Sequence, residues 1–279
     1  MRYPRWKCFQ GGLLGGFLGE SLQVSTGRDY LNYGLIPHTQ FVQKWLNNLC
    51  AERPENNILI VSEQEYILSI FPLILRWHDQ PSYWRQQLII MGNSSHICAE
   101  VQEIGLLWGS VLSFILLEQV NPKEILTSLL NNIDGKCNNL LLIKELIESG
   151  CSYKTGCKKL LKLKLKQVEV MLALYGFILT PDDVRLCLCR AGGGKNERYF
   201  TAYLTGTILG LYNSIGGVPL SWRVQIEDHP TVKKLFDQAG ELYRVWCGMY
   251  GELSLDAAVA SPGIIQPRGG VKVISQRES

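Results

Sequence analysis

The sequence predicts a single all-α domain. Apolar residues recur at helical spacing in nearly every segment, and turn residues punctuate the chain at short intervals. No strand-like alternation competes over the first 150 residues. Of 279 residues, 46% are hydrophobic and 19% charged, which supplies one sizeable core and excludes a largely disordered chain. A net charge of +3 is too mild a bias to argue for nucleic acid.

The elements follow in chain order. "GGLLGGFLGESLQV" (11–24) reads as a glycine-rich apolar helix that ends in one carboxylate, Glu20. "HTQFVQKWLNNLCAE" sets Val42, Trp45, Leu46 and Leu49 on one helical face. Residues 63–77 and 99–118 read as longer, more continuously apolar helices. "NPKEILTSLLNNI" carries a Pro in its first turn and groups Ile125, Leu129 and Ile133. "NNLLLIKELIES" stops at Gly150, and "VEVMLALYGFIL" reads as a buried helix. "LLKLKLKQVEV" (160–170) alternates apolar and basic residues, and reads equally as a strand or as the basic lead-in of the helix after it. Thr180-Pro181-Asp182-Asp183 predicts a helix start, with Thr180 as cap, Pro181 first in the helix and Asp183 closing a capping box. A last helix runs from about Thr231, with Val232, Leu235, Phe236, Ala239, Leu242 and Trp246 inward. Residues 1–262 form the expected domain, and the polar, Gly-rich stretch 263–279 is expected to be a loose tail.

Two segments imitate membrane signals. Arg2, Arg5 and Lys7 precede an apolar run, but glycines break it, Glu20 ends it, and no small-residue cleavage pattern follows. "IGLLWGSVLSFILL" (104–117) is apolar for 14 residues, short of the roughly 20 that a bilayer needs, and fits a core helix. Nine cysteines at irregular spacing argue against a disulfide framework and for a reduced, cytoplasmic chain. Cys187 and Cys189 read as buried residues of a helix rather than as metal ligands. "RAGGGKNER" lacks both the first Gly and the Ser or Thr of a phosphate-binding P-loop. The six lysines from Lys154 to Lys166 read as a solvated basic face, with docking onto an acidic partner surface as the functional alternative.

The glycines ask for a structural reason. A helix-interior Gly costs up to about 1 kcal/mol relative to Ala, which makes sense where two backbones must come close. Gly12, Gly15 or Gly16, and Gly19 share a face, and "TAYLTGTILGLYNSIGG" spaces Ala202, Gly206 and Gly210 four apart. Two such faces are expected to pack against each other or against a common neighbour.

These two helices resemble the N- and C-terminal signatures of the ADP-ribosylglycohydrolases, the family that includes dinitrogenase reductase-activating glycohydrolase. Gly12, Gly15, Gly19, Glu20 and Ser21 match its Gly-x-x-Gly-x-x-x-Gly-Asp-Ala helix, with Glu for Asp. "ERYFTAYLTGTILGLYNSIGGVPLSW" resembles its later run, with Gly206, Gly210, Pro219 and Trp222 on the matched positions. Pro72 matches a Met-Arg-x-x-Pro segment, with Ser69 where the Arg belongs. Ser95-His96 matches a Thr-His pair, and "LALYGFILTPDDVRLCLCRA" resembles the helix pair before the second metal motif. The similarity spans roughly residues 10–225 and implies an orthogonal multi-helix bundle.

The resemblance also implies magnesium or manganese, held by Thr-Asp-Asp-Thr and Asp-x-Asp-Thr motifs, that orients the ribose and a water for glycosidic cleavage. Here those motifs fall on Ile36-Pro37-His38-Thr39 and Glu197-Arg198-Tyr199-Phe200, so nearly all the metal carboxylates are gone. No metal or other cofactor is therefore expected. The remnant cleft is expected to be lined by Glu20, His38, Thr39, Ser69, His96, Glu197 and Tyr199. The leading expectation is a pseudoenzyme that binds a partner protein or an ADP-ribose-like ligand, with no membrane and no specific nucleic acid as partner. The rival is a working hydrolase with a remodelled site of Glu20, Glu197 and His96. A third reading is a helical scaffold whose cleft is filled.

Overall fold

The computed structural model describes residues 3–25, 28–31, 36–50, 60–117, 121–122, 124–132, 138–192 and 199–248. Among these residues the chain forms thirteen α-helices and one two-stranded hairpin, so the all-α expectation holds. The expected tail at 263–279 lies outside the described residues.

Helix α1 (Arg5–Ser21) and helix α11 (Tyr199–Asn213) run antiparallel through the middle of the molecule. A Cβ placed on Gly15 would sit 2.0 Å from the carbonyl oxygen of Gly206, and one on Gly206 would sit 1.9 Å from that of Gly15. Gly11 faces Gly210 and Gly19 faces Ala202 in the same way, so the two residue numbers climb and fall together by four. The contact face is therefore Gly11, Gly15 and Gly19. Gly12 and Gly16, which sequence spacing placed on that face or beside it, meet Phe71, Leu211, Thr207 and Tyr203 instead. Both helices are apolar nearly all round, which suits an element covered on every side.

The other helices wrap this pair. Helix α9 (Val168–Leu179) and helix α10 (Val184–Gly192) lie against α11, and helix α13 (Pro230–Cys247) lies against α1. Helices α2 (Pro37–Cys50), α3 (Glu63–Trp77), α4 (Pro81–Ser94) and α5 (Ala99–Leu116) form the flank reached through α13 and α3. Helix α5 is long and apolar enough to span a bilayer by composition, but 67% of it is buried in the bundle, as a core helix would be. Helix α6 (Ile125–Asn132) packs on α5, while α7 (Asn138–Glu148) and α8 (Tyr153–Lys162) pack on α9. Helix α12 (Leu220–Ile226) links the core pair to α13.

Several local expectations change. Strands β1 (Leu22–Ser25) and β2 (Arg28–Leu31) form a short antiparallel hairpin directly after α1, where no strand was expected. Residues 160–170 are neither a strand nor a helix lead-in. They are the last turn of α8, a connection with Lys164 and Gln167 at positive φ, and the start of α9. The capping box at 180–183 is absent: Asp183 itself caps α10, accepting from Leu186 N at 2.8 Å, and Thr180 Oγ1 accepts from Arg190 Nη1.

The close approach of α1 and α11 makes a sharp prediction. Gly206→Ala puts a methyl group onto backbone that cannot swing aside, and should destabilise by about 3 kcal/mol. Gly192→Ala, whose Cβ would meet only Leu22 O at 3.7 Å, should be near neutral. Urea unfolding midpoints of the two variants check this.

Candidate functional site

Helix α2 begins without the means to cap itself. Its preceding residue, Ile36, is apolar and has no side-chain oxygen, and its first residue, Pro37, has no N–H. Gln40 N bonds Ile36 O at 3.0 Å, which leaves the N–H groups of His38 and Thr39 to be satisfied. Glu20, in the last turn of α1, satisfies both. Its Oε1 accepts from His38 N at 2.8 Å, and its Oε2 accepts from Thr39 N at 2.9 Å and from Thr39 Oγ1 at 2.7 Å. The His38 imidazole Nδ1 lies 2.8 Å from Oε1, an ion pair when the ring is protonated.

Glu20 is only 2% exposed. A carboxylate so deeply buried needs charge-assisted donors, and the positive end of α2 supplies them. Sequence reasoning placed Glu20 at a helix end, in the lining of a metal-free remnant cleft. The structure instead gives it the role of an N-cap delivered from another helix.

Aromatic side chains close over this junction from α11. The His38 ring lies 5.3 Å from that of Phe200 and 5.7 Å from that of Tyr203. Both aromatic residues are buried. Burial, reinforced by the Glu20 charge, pushes the Tyr203 phenol well above its ordinary pKa, so it stays neutral. Sequence reasoning missed Tyr203, although it stands one helical turn after Phe200 on the small-residue helix.

The expected cleft residues thus separate. Glu20, His38 and Thr39 come together, and Phe200, from the second mapped motif, joins them. Tyr199 starts α11 and is 42% exposed, and Glu197 lies outside the described residues. Ser69 is fully buried within α3 and donates to Tyr66 O at 2.7 Å. His96 stands exposed at positive φ in the turn between α4 and α5, joined to neither Glu20 nor His38.

This donor set does not fit a magnesium or manganese ion. A hard cation needs several oxygen ligands with free lone pairs. Both Glu20 oxygens already face N–H or O–H donors, whose positive ends point where a cation would sit. The neighbouring groups are an imidazole and two aromatic rings. Among the described residues no group of three or more His, Cys, Asp or Glu stands close enough to hold a metal. Cys187 is buried, and burial pushes its thiol up to about 12, as expected of a packed core cysteine.

No protein-family model matches the chain, and no curated protein matches it. A solved structure described as an ADP-ribosylglycohydrolase-related protein complex does. The match has a TM-score of 0.61 over 87% of this chain and 97% of that one, at 15% sequence identity. The chain therefore shares the all-α fold of an ADP-ribosylglycohydrolase-related protein.

If Glu20 is a cap, its removal should act on stability. Glu20→Gln should cost about 2 kcal/mol and Thr39→Val about 1 kcal/mol, with magnesium changing neither value. Thermal unfolding with and without magnesium checks both. The thiols give a second expectation. Cys151, whose pKa is lowered by the Ser149 hydroxyl and by Lys159, should be alkylated at lower pH than Cys50 or Cys187, which burial pushes up to about 12. Peptide mass mapping after iodoacetamide treatment across a pH series reads the order.

Proposed function

We propose that this chain is a non-catalytic protein of the ADP-ribosylglycohydrolase type that works by binding a partner protein, its remnant cleft closed by its own aromatic side chains. The observation that carries this is the saturation of Glu20. The carboxylate standing where the family places an Asp is engaged by two backbone N–H groups and a hydroxyl, and is held under Phe200 and Tyr203. A general base needs a free lone pair aimed at a water or a sugar hydroxyl. A metal-assisted route needs oxygen ligands that this junction does not offer.

The shared fold supports descent from a hydrolase scaffold, and the match to a structure described as a complex supports a binding role. No disulfide joins any two of the eight cysteines among the described residues, which suits a cytoplasmic setting.

The test is incubation with an ADP-ribosylated arginine substrate, with and without magnesium or manganese. No release of ADP-ribose is expected under any of these conditions. Turnover that a chelator abolishes would overturn the reading. Calorimetry with free ADP-ribose is expected to show no binding heat, and tight binding would reopen the cleft as a ligand site.

A further inference from the structure

Helix α8 carries a row of charge that the bundle leaves unused. Gly156, Cys157 and Leu160 turn inward, and a Cβ on Gly156 would lie 2.4 Å from the Tyr175 ring of α9. Tyr153 stacks on Tyr175 with centroids 6.1 Å apart, and the Tyr175 hydroxyl donates to Cys151 O at 3.0 Å. Ser152 caps the helix on Thr155 N. The helix is thus pinned at its start and along its inner face.

Its outer face presents Lys154, Lys158 and Lys162, four residues apart and all exposed. On an α-helix that spacing makes one row with steps of about 6 Å. None of the three has an ion-pair partner among the described residues. Lys166, by contrast, is tied to Glu63 at 3.1 Å and anchors the far end of the segment. Two leucines are exposed in the same stretch, Leu161 at 41% and Leu163 at 50%. Lys164, held at a φ of 49°, follows Leu163 in a turn that an L-residue rarely adopts.

We infer that this face docks an acidic amphipathic helix of a partner protein. A rigid row of three lysines at four-residue spacing is complementary to carboxylates repeating every four residues on a helix of the same rise. The two exposed leucines supply the apolar contact that such a helix offers beside its acids and that a phosphate backbone lacks. Two leucines without an amphipathic inserting face are also too little apolar surface to seat the protein in a bilayer. The inference gives the partner-binding reading its surface and rests on that reading. The hydrolysis assay and the titration below fail independently of each other.

The test titrates the full chain with a labelled synthetic helix bearing Glu at every fourth position and Leu beside it. Polyuridylate and vesicles of phosphatidylserine in phosphatidylcholine serve as alternative probes. The wild type should bind the peptide more tightly than either alternative. Lys158→Glu combined with Lys162→Glu should weaken peptide binding by about tenfold or more. The charge-matched control Lys44→Glu with Lys234→Glu, at exposed lysines elsewhere, should leave it within about twofold. Leu161→Ser with Leu163→Ser should weaken the peptide and not polyuridylate. Circular dichroism confirms that each variant is folded. Absence of peptide binding, equal loss in the control, or tighter binding of vesicles or polyuridylate through the same lysines would overturn the inference.

Discussion

Everything in this bundle is referred to the contact between two helix backbones. Where Gly11, Gly15 and Gly19 meet Gly210, Gly206 and Ala202, each backbone occupies the volume in which the other would carry side chains. That interdigitation fixes the relative translation of α1 and α11, because the positions flanking the contact stripe include Leu14, Leu18, Leu209 and Leu211, whose side chains so close an approach does not admit. The fixed register sets the last turn of α1 beside the first turn of α11. Glu20 and the pair Phe200 and Tyr203 are thereby brought to one place, and α2 starts there.

The polar junction at that place follows from what α2 lacks. An apolar residue before the helix and a proline at its start leave no local means of satisfying the next two N–H groups. A carboxylate from α1 answers that need, and the need in turn consumes the carboxylate. The sequence resemblance to the ADP-ribosylglycohydrolases would place metal-binding aspartates at the starts of α2 and α11. Here one glutamate faces donors, and the remaining space is filled with rings.

What the sequence disclosed and what it hid divide along physical lines. The glycine faces were legible because periodicity is local, but whether they meet each other or a common neighbour was open until the structure paired them. The choice of Gly11 over Gly12 was not legible, since both stripes lie on one turn and only the partner decides between them. The cap of α2 was hidden because its donor and acceptor stand 19 residues apart on different helices. The hairpin after α1 was missed because its strands are four residues each, too short for alternation to show. At α10 the sequence pointed to Thr180 as the cap, and only the geometry of Asp183 and Leu186 moves that role to Asp183. His96 and Ser69 were drawn in by motif analogy alone, and no local constraint carries either toward Glu20.

The pairing of the first helix with the eleventh also has a meaning for biosynthesis. Gly15 and Gly206 are 191 residues apart in sequence, the difference between their two numbers. At about 5–20 residues per second, on the order of 10 to 40 seconds separate the emergence of α1 from that of its partner. Throughout that interval the face of α1 that carries Gly11, Gly15 and Gly19 lacks its native cover. Native contacts to α2 and α3 are available earlier, and they cover other parts of α1. The core is completed only when the segment that carries Gly206 and Gly210 has been made.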